Sequence, residues 1–302
     1  MEIRPIRHED LGPIEKLVGS NWQQDSLWGP SRVGAYDFGS RASVRVAVDA
    51  DALLGVGSFL PSSRAVFGLL HLDVAAGSQR QGVGSALLAR LREEHPDTPM
   101  MVRVRPWDDK TLGFVEHHSF QIGERVIEGW VDPATPEIAK WIDATQSGIP
   151  DAIRVEPFDS SHPRRTEIAA VLDAWYLRHH PWAPPRLLSL DEAIEMYLEP
   201  ALDGTCHVAT VAGHIVGAGV LLPDPFRQRK GGAHLAYLGV GEPDRHDELQ
   251  VVQGLVAACM ASARDQRRPV QIEVSHLHTH AWQLVQSLPA PGLYEGLVIY
   301  VG

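Results

Sequence analysis

Between His71 and Leu88 the chain reads HLDVAAGSQRQGVGSALL: an apolar strand-like run ending at Val74, a small-residue loop, and a helix-like run from about Gly82. The first turn of a helix carries amide N–H groups with no partner inside the helix, and the positive end of the dipole lies behind them. Gly82 and Gly84 lack a Cβ, so an anion can reach those amides, while Arg80 adds a guanidinium fork and Ser85 a hydroxyl. The chemistry expected of such a loop is the cradling of a phosphate or diphosphate. Val83, Leu87, Leu88 and Leu91 form the apolar stripe that would seat the helix on a sheet. Two common phosphate loops fit poorly. A Walker loop needs Gly-Lys-Ser/Thr, and that Lys is missing. A dinucleotide fingerprint needs a third Gly where Leu87 stands, and it normally follows the first strand of a domain rather than the fourth.

The elements that must position this loop occur twice. Ile3–Arg7 and Ala152–Pro157 read as short strands, each followed by a helical stretch, His8–Val18 and Arg164–Arg178. Ser43–Val48 and Leu53–Leu60 read as a hairpin, matched by Cys206–Val211 and Ile215–Leu222, and both second strands end in Leu-Pro. An apolar strand follows in each half (Val66–Val74, Ala233–Val240), then a long helix (Gly82–Glu94, His246–Arg264). Then come a strand (Met100–Val104, Val270–Val274), a shorter helix (Asp108–His118, Thr279–Leu288) and a closing strand (Arg125–Val131, Leu297–Val301). Pro-punctuated helical stretches, Asn21–Gly39 and Trp182–Leu202, separate the first and second strands of each half. The turn-rich segment Asp132–Pro150 reads as the boundary, giving domains 1–145 and 151–302.

Gln79-Arg80-Gln81-Gly82-Val83-Gly84, five residues past the strand end, resembles the Gln/Arg-x-x-Gly-x-Gly/Ala loop of the GCN5-related N-acetyltransferases, and the element order fits that family over the whole chain. The resemblance implies an α/β fold of α+β type: two tandem acetyltransferase-fold domains, each a mixed, mostly antiparallel sheet flanked by helices and splayed between its fourth and fifth strands. It also implies acetyl-CoA as co-substrate. The pantetheine arm would lie along backbone groups of Leu72, Asp73 and Val74, and the diphosphate on Gln79, Arg80, Gln81, Gly82, Val83, Gly84 and Ser85. Counting the same offsets from Val240 puts Arg245 at the place of Gln79, Glu248 at Gly82 and Gln250 at Gly84. A carboxylate repels phosphate, so the second half is expected to have lost the cofactor.

Acetyl transfer to an amine needs a base for its proton and an acid for the leaving thiolate. Aligned with the family's Phe-Tyr-Glu-x-x-Gly-Phe, the stretch Phe114–Phe120 has Val115 at the Tyr place and Ser119 at the Gly place. The base positions hold Leu70 and Gly68, while His71 and Asp73 have the opposite parity and are expected to face away from the cleft. Glu128, His117 and His118 are substitute candidates, and His234 falls at a base position in the second half. The implied activity is acetyl transfer to a primary amine of a small molecule. The alternative is a non-catalytic acyl-CoA-binding or partner-binding protein that has lost the acid and base.

Composition sets the outer bounds. Over 302 residues, 27 basic and 38 acidic side chains leave a net charge of −11, which disfavours nucleic acid and anionic lipid and suits a cationic ligand. No apolar run is long enough to span a bilayer, and MEIRPIRHEDLG is charged where a signal peptide is apolar, so the cytoplasm is expected. Monomer and homodimer both stay open. No metal is expected: Cys206 and Cys259 read as packing residues, and His276, His278 and His280 as turn residues. Trp22, Trp28, Trp175 and Trp182 fall where the family lines its acceptor cleft, although aromatic residues also serve as core.

Overall fold

Alternating valines set the first sheet. Val44 and Val46 on β2 (Ser43–Asp49) and Val56 on β3 (Ala52–Pro61) point to one face, where Ile14, Leu17 and Val18 of helix α1 (Leu11–Asn21) bury them. The computed structural model describes residues 1–21, 42–50, 52–62, 66–181, 185–224, 231–242 and 246–302. The stretch with Trp22 and Trp28, and also Asp51, Trp182 and Arg245, lie outside the described residues. The chain divides into two units: Met1–Val104, Lys110–Ile122 and Ile299–Gly302 form one, and Arg105–Asp109 with Gly123–Val298 the other.

In the first unit β1 (Glu2–Pro5), β2, β3 and β4 (Gly68–Val74) pair antiparallel in that order, and β5 (Met100–Val104) joins β4 in parallel. Helix α2 (Val83–Glu94) lays Val83 and Leu87 on the face opposite α1, against Ala47, Leu72 and Val74. Helix α3 (Asp109–His117) follows β5, and the end of the chain returns here, with Met100 and Gly302 exchanging backbone hydrogen bonds of 2.8 and 3.0 Å. The start of the unit is pinned by Asp10, whose carboxylate takes a two-pronged bond from Arg4 (2.7 and 2.9 Å) and a third from the Arg7 amide (2.7 Å). These bonds hold the Asp10 carboxyl below the usual carboxylate range, the Arg4 bond most of all.

The second unit repeats the plan. Its sheet runs β6 (Gln121–Val131), β11 (Val270–Ser275), β10 (Ala233–Val240), β9 (His214–Pro223), β8 (Cys206–Val211) and β7 (Ile153–Phe158). β10 and β11 are parallel, while the ladders β6–β11, β9–β10, β8–β9 and β7–β8 are antiparallel. Helix α7 (Glu248–Asp265) buries Val251, Leu255 and Cys259 on one face. On the other, α5 (Arg165–His179) and α6 (Leu190–Tyr197) bury Ile168, Leu172 and Tyr197 against Val208 and Val220. Helix α8 (Thr279–Ser287) and strand β12 (Leu293–Val301) close the chain. The first hairpin of each unit shifts register at the same step: Ala47↔Gly55 is followed by Val48↔Leu53, and Ala209↔Gly217 by Thr210↔Ile215. A shared irregularity of this kind marks a true duplication more firmly than shared element order.

The expected boundary at 145–151 is not where the units divide. The linker-like segment forms α4 (Pro136–Gly148), with Pro136 at its first turn and Ile138 and Ile142 buried in the same core cluster as Val251 and Leu255. Pro and Thr read as turn signals, but here they start a helix. β6, taken in sequence as the closing strand of the first half, belongs from Gly123 onward to the second unit, where it pairs with β11.

Ile142→Ala, at a fully buried site, is therefore expected to lower unfolding stability by about 2–5 kcal/mol; a surface linker residue would change it little. Chemical denaturation of the full chain measures this. Asp10→Asn is expected to cost about 1–2 kcal/mol at pH 7. A depressed carboxylate contributes stability that is complete above its unfolded value near 4 and is lost as pH falls through the lower folded value. Below that range the variant and the natural chain should converge in melting temperature.

Candidate functional site

The phosphate-loop residues sit at the start of α2. Gly82 caps the helix with φ +83°, a left-handed backbone that glycine adopts readily, and Arg80 holds φ +60° two residues earlier. No side chain hydrogen-bonds the helix start at this cap, and Arg80, Gln81 and Gly82 are exposed. Gln81 Nε2 donates to Gly77 O (2.7 Å) and Gln79 Nε2 to Val74 O (3.4 Å), tying the loop to the strand end. Lys110 Nζ, 3.4 Å from Gln79 Oε1, adds a cation that the sequence reading missed. Gly84 serves packing rather than openness, because a Cβ there would lie 3.1 Å from the Phe114 ring and 3.6 Å from Val74 Cγ2. Ser85 is likewise turned aside from its expected role, its hydroxyl sharing a 2.9 Å hydrogen bond with His118 Nε2.

Beside this helix start the sheet opens. β4 pairs with β3 along its whole length, from Gly68 to Val74, yet its ladder with β5 has only the pairs Gly68↔Met100 and Leu69↔Met101. Gly68 N donates to Pro99 O on the β5 side and Ala75 N to Leu54 O on the β3 side. By alternation the main-chain groups of Leu70, Leu72 and Val74 point toward the gap, and those of Asp73 toward β3. The expectation that Asp73 lends its backbone to the gap is corrected accordingly. Bare helix-start amides beside a parted pair of strands fit a ligand with a diphosphate and an extended amide-bearing arm.

The faces of β4 are also settled. Leu72 and Val74 pack under α2, and Leu70 (2% exposed) and Gly68 share their parity, with the Phe59 ring filling the space a Cβ on Gly68 would need. The positions where a base was sought thus lie on the side that α2 and packing close. His71 and Asp73 project from the face on which Val56 meets α1, opposite the side that α2 covers. At the family's acid place Val115 is 0% exposed and offers no proton. Ser119 has φ +62°, a left-handed backbone that glycine adopts most readily.

The substitute candidates separate. His117 is exposed at the end of α3. His118 is half-buried against Phe114 (rings 4.6 Å apart), and burial, then His117 and Arg92, push its imidazole below the usual histidine value. Glu128 belongs to the second unit. It is 0% exposed and ion-paired with Arg105, whose guanidinium also donates to Gly296 O (2.6 Å), so it is neither a surface group nor a poised base.

In the second unit packing shifts the register. Val251 and Leu255 meet Gly217 as Val83 and Leu87 meet Gly55, and Cys259 meets Gly219 as Leu91 meets Gly57. Gln250 and Val252 therefore replace Gly82 and Gly84, while Glu248 lies before them, 3.4 Å from His280 Nδ1. A bulge between Leu235 and Tyr237 likewise moves His234 to the place of Leu69 and puts Tyr237 at that of His71, so His234 is not at a base position. β10 and β11 part after Leu235↔Ile272, and here the gap is furnished from within. The Trp175 ring occupies the room above Gly239, His278 lies 4.7 Å from it, and Arg178 donates to Val240 O (3.0 Å). His278 is deeply buried, and desolvation holds it well below the ordinary histidine pKa. Trp175 is thus a packing residue. Cys206 and Cys259 are buried free thiols, and no metal-holding cluster occurs among the described residues. Nor is any described helix long and apolar enough to cross a membrane.

No family model matches the chain, and no curated protein does. Solved structures do. A GCN5-related N-acetyltransferase from Sphaerobacter thermophilus is 17% identical with a TM-score of 0.71, over 100% of this chain and 95% of that one. A tandem GNAT protein from the clavulanic acid biosynthesis pathway is 15% identical with a TM-score of 0.64, over 100% and 98%. A GCN5-related N-acetyltransferase from Kribbella flavida is 12% identical with a TM-score of 0.54, over 99% and 70%. Likeness at this level concerns the backbone, and with the repeated hairpin and the parted strands of each unit it gives the chain the tandem GCN5-related N-acetyltransferase fold.

Proposed function

We propose that the chain transfers an acetyl group from acetyl-CoA to a primary amine of a small molecule, with the cofactor held in the first unit only. The observation that carries this reading is the two-pair ladder between β4 and β5 lying beside an uncapped helix start. The amides from Gln81 to Ser85 and the Arg80 guanidinium would hold the diphosphate, and the edge of Leu72 and Val74 the pantetheine arm. Acetyl-CoA, when bound, supplies an acyl group activated as a thioester. In the second unit Gln250 and Val252 at the helix start, and Arg178 on the Val240 carbonyl, speak against a second site. The reading places the protein in the cytoplasm, as a monomer or homodimer, with no nucleic acid or membrane partner.

The acceptor reaches the gap from the α1 face, since α2 and its apolar contacts close the other. His71 lies on that face, and its imidazole takes the proton that the attacking amine must lose. With Val115 buried at the place of a tyrosine acid, the leaving thiolate takes its proton from water. That same absence supports a second reading, in which the cofactor binds and no turnover follows.

Thiol release measured over a panel of small primary amines separates the two. Turnover with at least one amine is expected; tight CoA binding without release would leave only the binding reading. Arg80→Glu, at an exposed site, is expected to weaken CoA binding about 10–100-fold with the fold intact. Unchanged affinity by calorimetry would show that the diphosphate lies elsewhere. His71→Gln should lower kcat about 100-fold while CoA affinity holds, and equal turnover would remove His71 as the base.

A further inference from the structure

Three imidazoles meet at the end of α5. His179 and His180 close that helix, and His278, the residue before α8, lies against them, its ring 4.3 Å from that of His179 and 6.4 Å from that of His180. Trp175, one turn back on α5, joins the cluster with its ring 4.7 Å from His278. Trp175 O accepts from His179 Nδ1 (2.9 Å) and Tyr176 O from His180 Nδ1 (2.8 Å), so each neutral ring carries its proton on Nδ1 and takes a second one on Nε2. His278 Nε2 is buried and has no hydrogen-bond partner. A proton added there makes a buried cation without an acceptor, packed against two further imidazoles that can also take one. Apolar side chains of similar volume would fill this seam without that cost.

The same stretch of α5 fastens the end of β10: Arg178 donates to Val240 O (3.0 Å), and the Trp175 ring fills the place that a Cβ on Gly239 would need. We infer that the histidine cluster is a pH-sensitive latch, closed at neutral pH, whose protonation frees the end of α5 from the β11–α8 turn and from the end of β10. The surrounding charges set its direction. Arg178 on α5 and a charged His276 on the turn oppose further positive charge, whereas Glu248 at the start of α7 favours it on His179, while also lying 3.4 Å from His280 Nδ1. Burial is the largest influence on both His179 and His278 and holds both imidazoles below the ordinary histidine value. The stability that such a group contributes is complete above its unfolded value of about 6.5 and is lost as pH falls below it. The latch therefore loosens above the carboxylate range in which the Asp10 bonds are lost.

Amide hydrogen exchange of the full chain without CoA tests this at about pH 7.5 and about pH 5, with rates corrected for the intrinsic effect of pH. Amides of residues 175–180 and 282–285 are expected to lose about tenfold or more in protection on acidification, while those of residues 251–263 in α7 keep theirs. His278→Phe keeps a ring against Trp175 and removes the orphan nitrogen, and His179→Phe removes a titrating group from the α5 side. Each should shrink the acid-induced loss to about threefold or less. The natural chain alone can refute the latch: equal loss in α5, α7 and α8, or no loss, would overturn it whether or not the variants fold. Variants that keep the full response to pH would overturn it as well, leaving the rings as packing alone. No part of this test depends on CoA binding or on acetyl transfer.

Discussion

Two helices lie so close to their sheets that a Cβ on the glycines beneath them would press on the helix side chains. A Cβ on Gly55 would sit 3.1 Å from Val83 Cγ1 and one on Gly57 3.2 Å from Leu91 Cδ1; on Gly217 and Gly219 it would sit 3.0 Å from Val251 Cγ1 and 2.9 Å from Cys259 Sγ. This seating fixes the start of each helix against the end of its strand. In the first unit the chain must turn sharply between Val74 and Val83, and Arg80 and Gly82 take left-handed backbone to do so. The amides of the helix start are left facing outward as a consequence of the packing beneath them.

Much of this was legible in the sequence, because the signals were local. Gly82, the small-residue loop and the stripe of Val83, Leu87 and Leu91 announced a helix start at a strand end, and the alternating valines announced the strands. What was hidden depended on partners far along the chain. Asp132–Pro150 read as a linker because Pro and Thr are turn signals, and only the burial of Ile138 and Ile142 shows a helix with a core to cover. Faces on β4 were misjudged for the same reason: parity says which residues share a face, while the closed face is known only once α2 is seen on Leu72 and Val74.

Register was the other hidden quantity. Counting from Val240 assumed a loop of constant length and a strand without bulges. The extra residue at Ala236, and the earlier start of α7 relative to Val251, defeat such a count without disturbing the hydrophobic pattern. A bulge changes which side chain meets which neighbour while leaving composition and periodicity nearly untouched. The packing beneath the glycines recovers the true correspondence, since Leu87 and Leu255 can occupy only one place relative to Gly57 and Gly219. That correspondence also shows what covers the α5 face at the end of β10. Gly239 stands where Asp73 does, and the missing side chain is what admits the Trp175 ring.

With the register fixed, the side chains of the fourth and fifth strands can be set against each other in the two copies. In the first unit the titratable groups on the α1 face of the fourth strand are His71 and Asp73, and their counterparts in the second are Tyr237 and Gly239. On the fifth strand Gln271 and Glu273 stand where the first unit has Met101 and Arg103. A tyrosine stacked edge-on against Tyr197 and a glycine beneath an indole suit a packed interior. A buried glutamine does not, because its amide is costly to desolvate unless something pairs with it. A unit that had merely decayed into a structural support would be expected to shed such groups first, since apolar replacements of similar volume would stabilise it. Gln271 and Glu128 are kept all the same, on the face where α5 and α6 also bury Ile168, Leu172 and Tyr197.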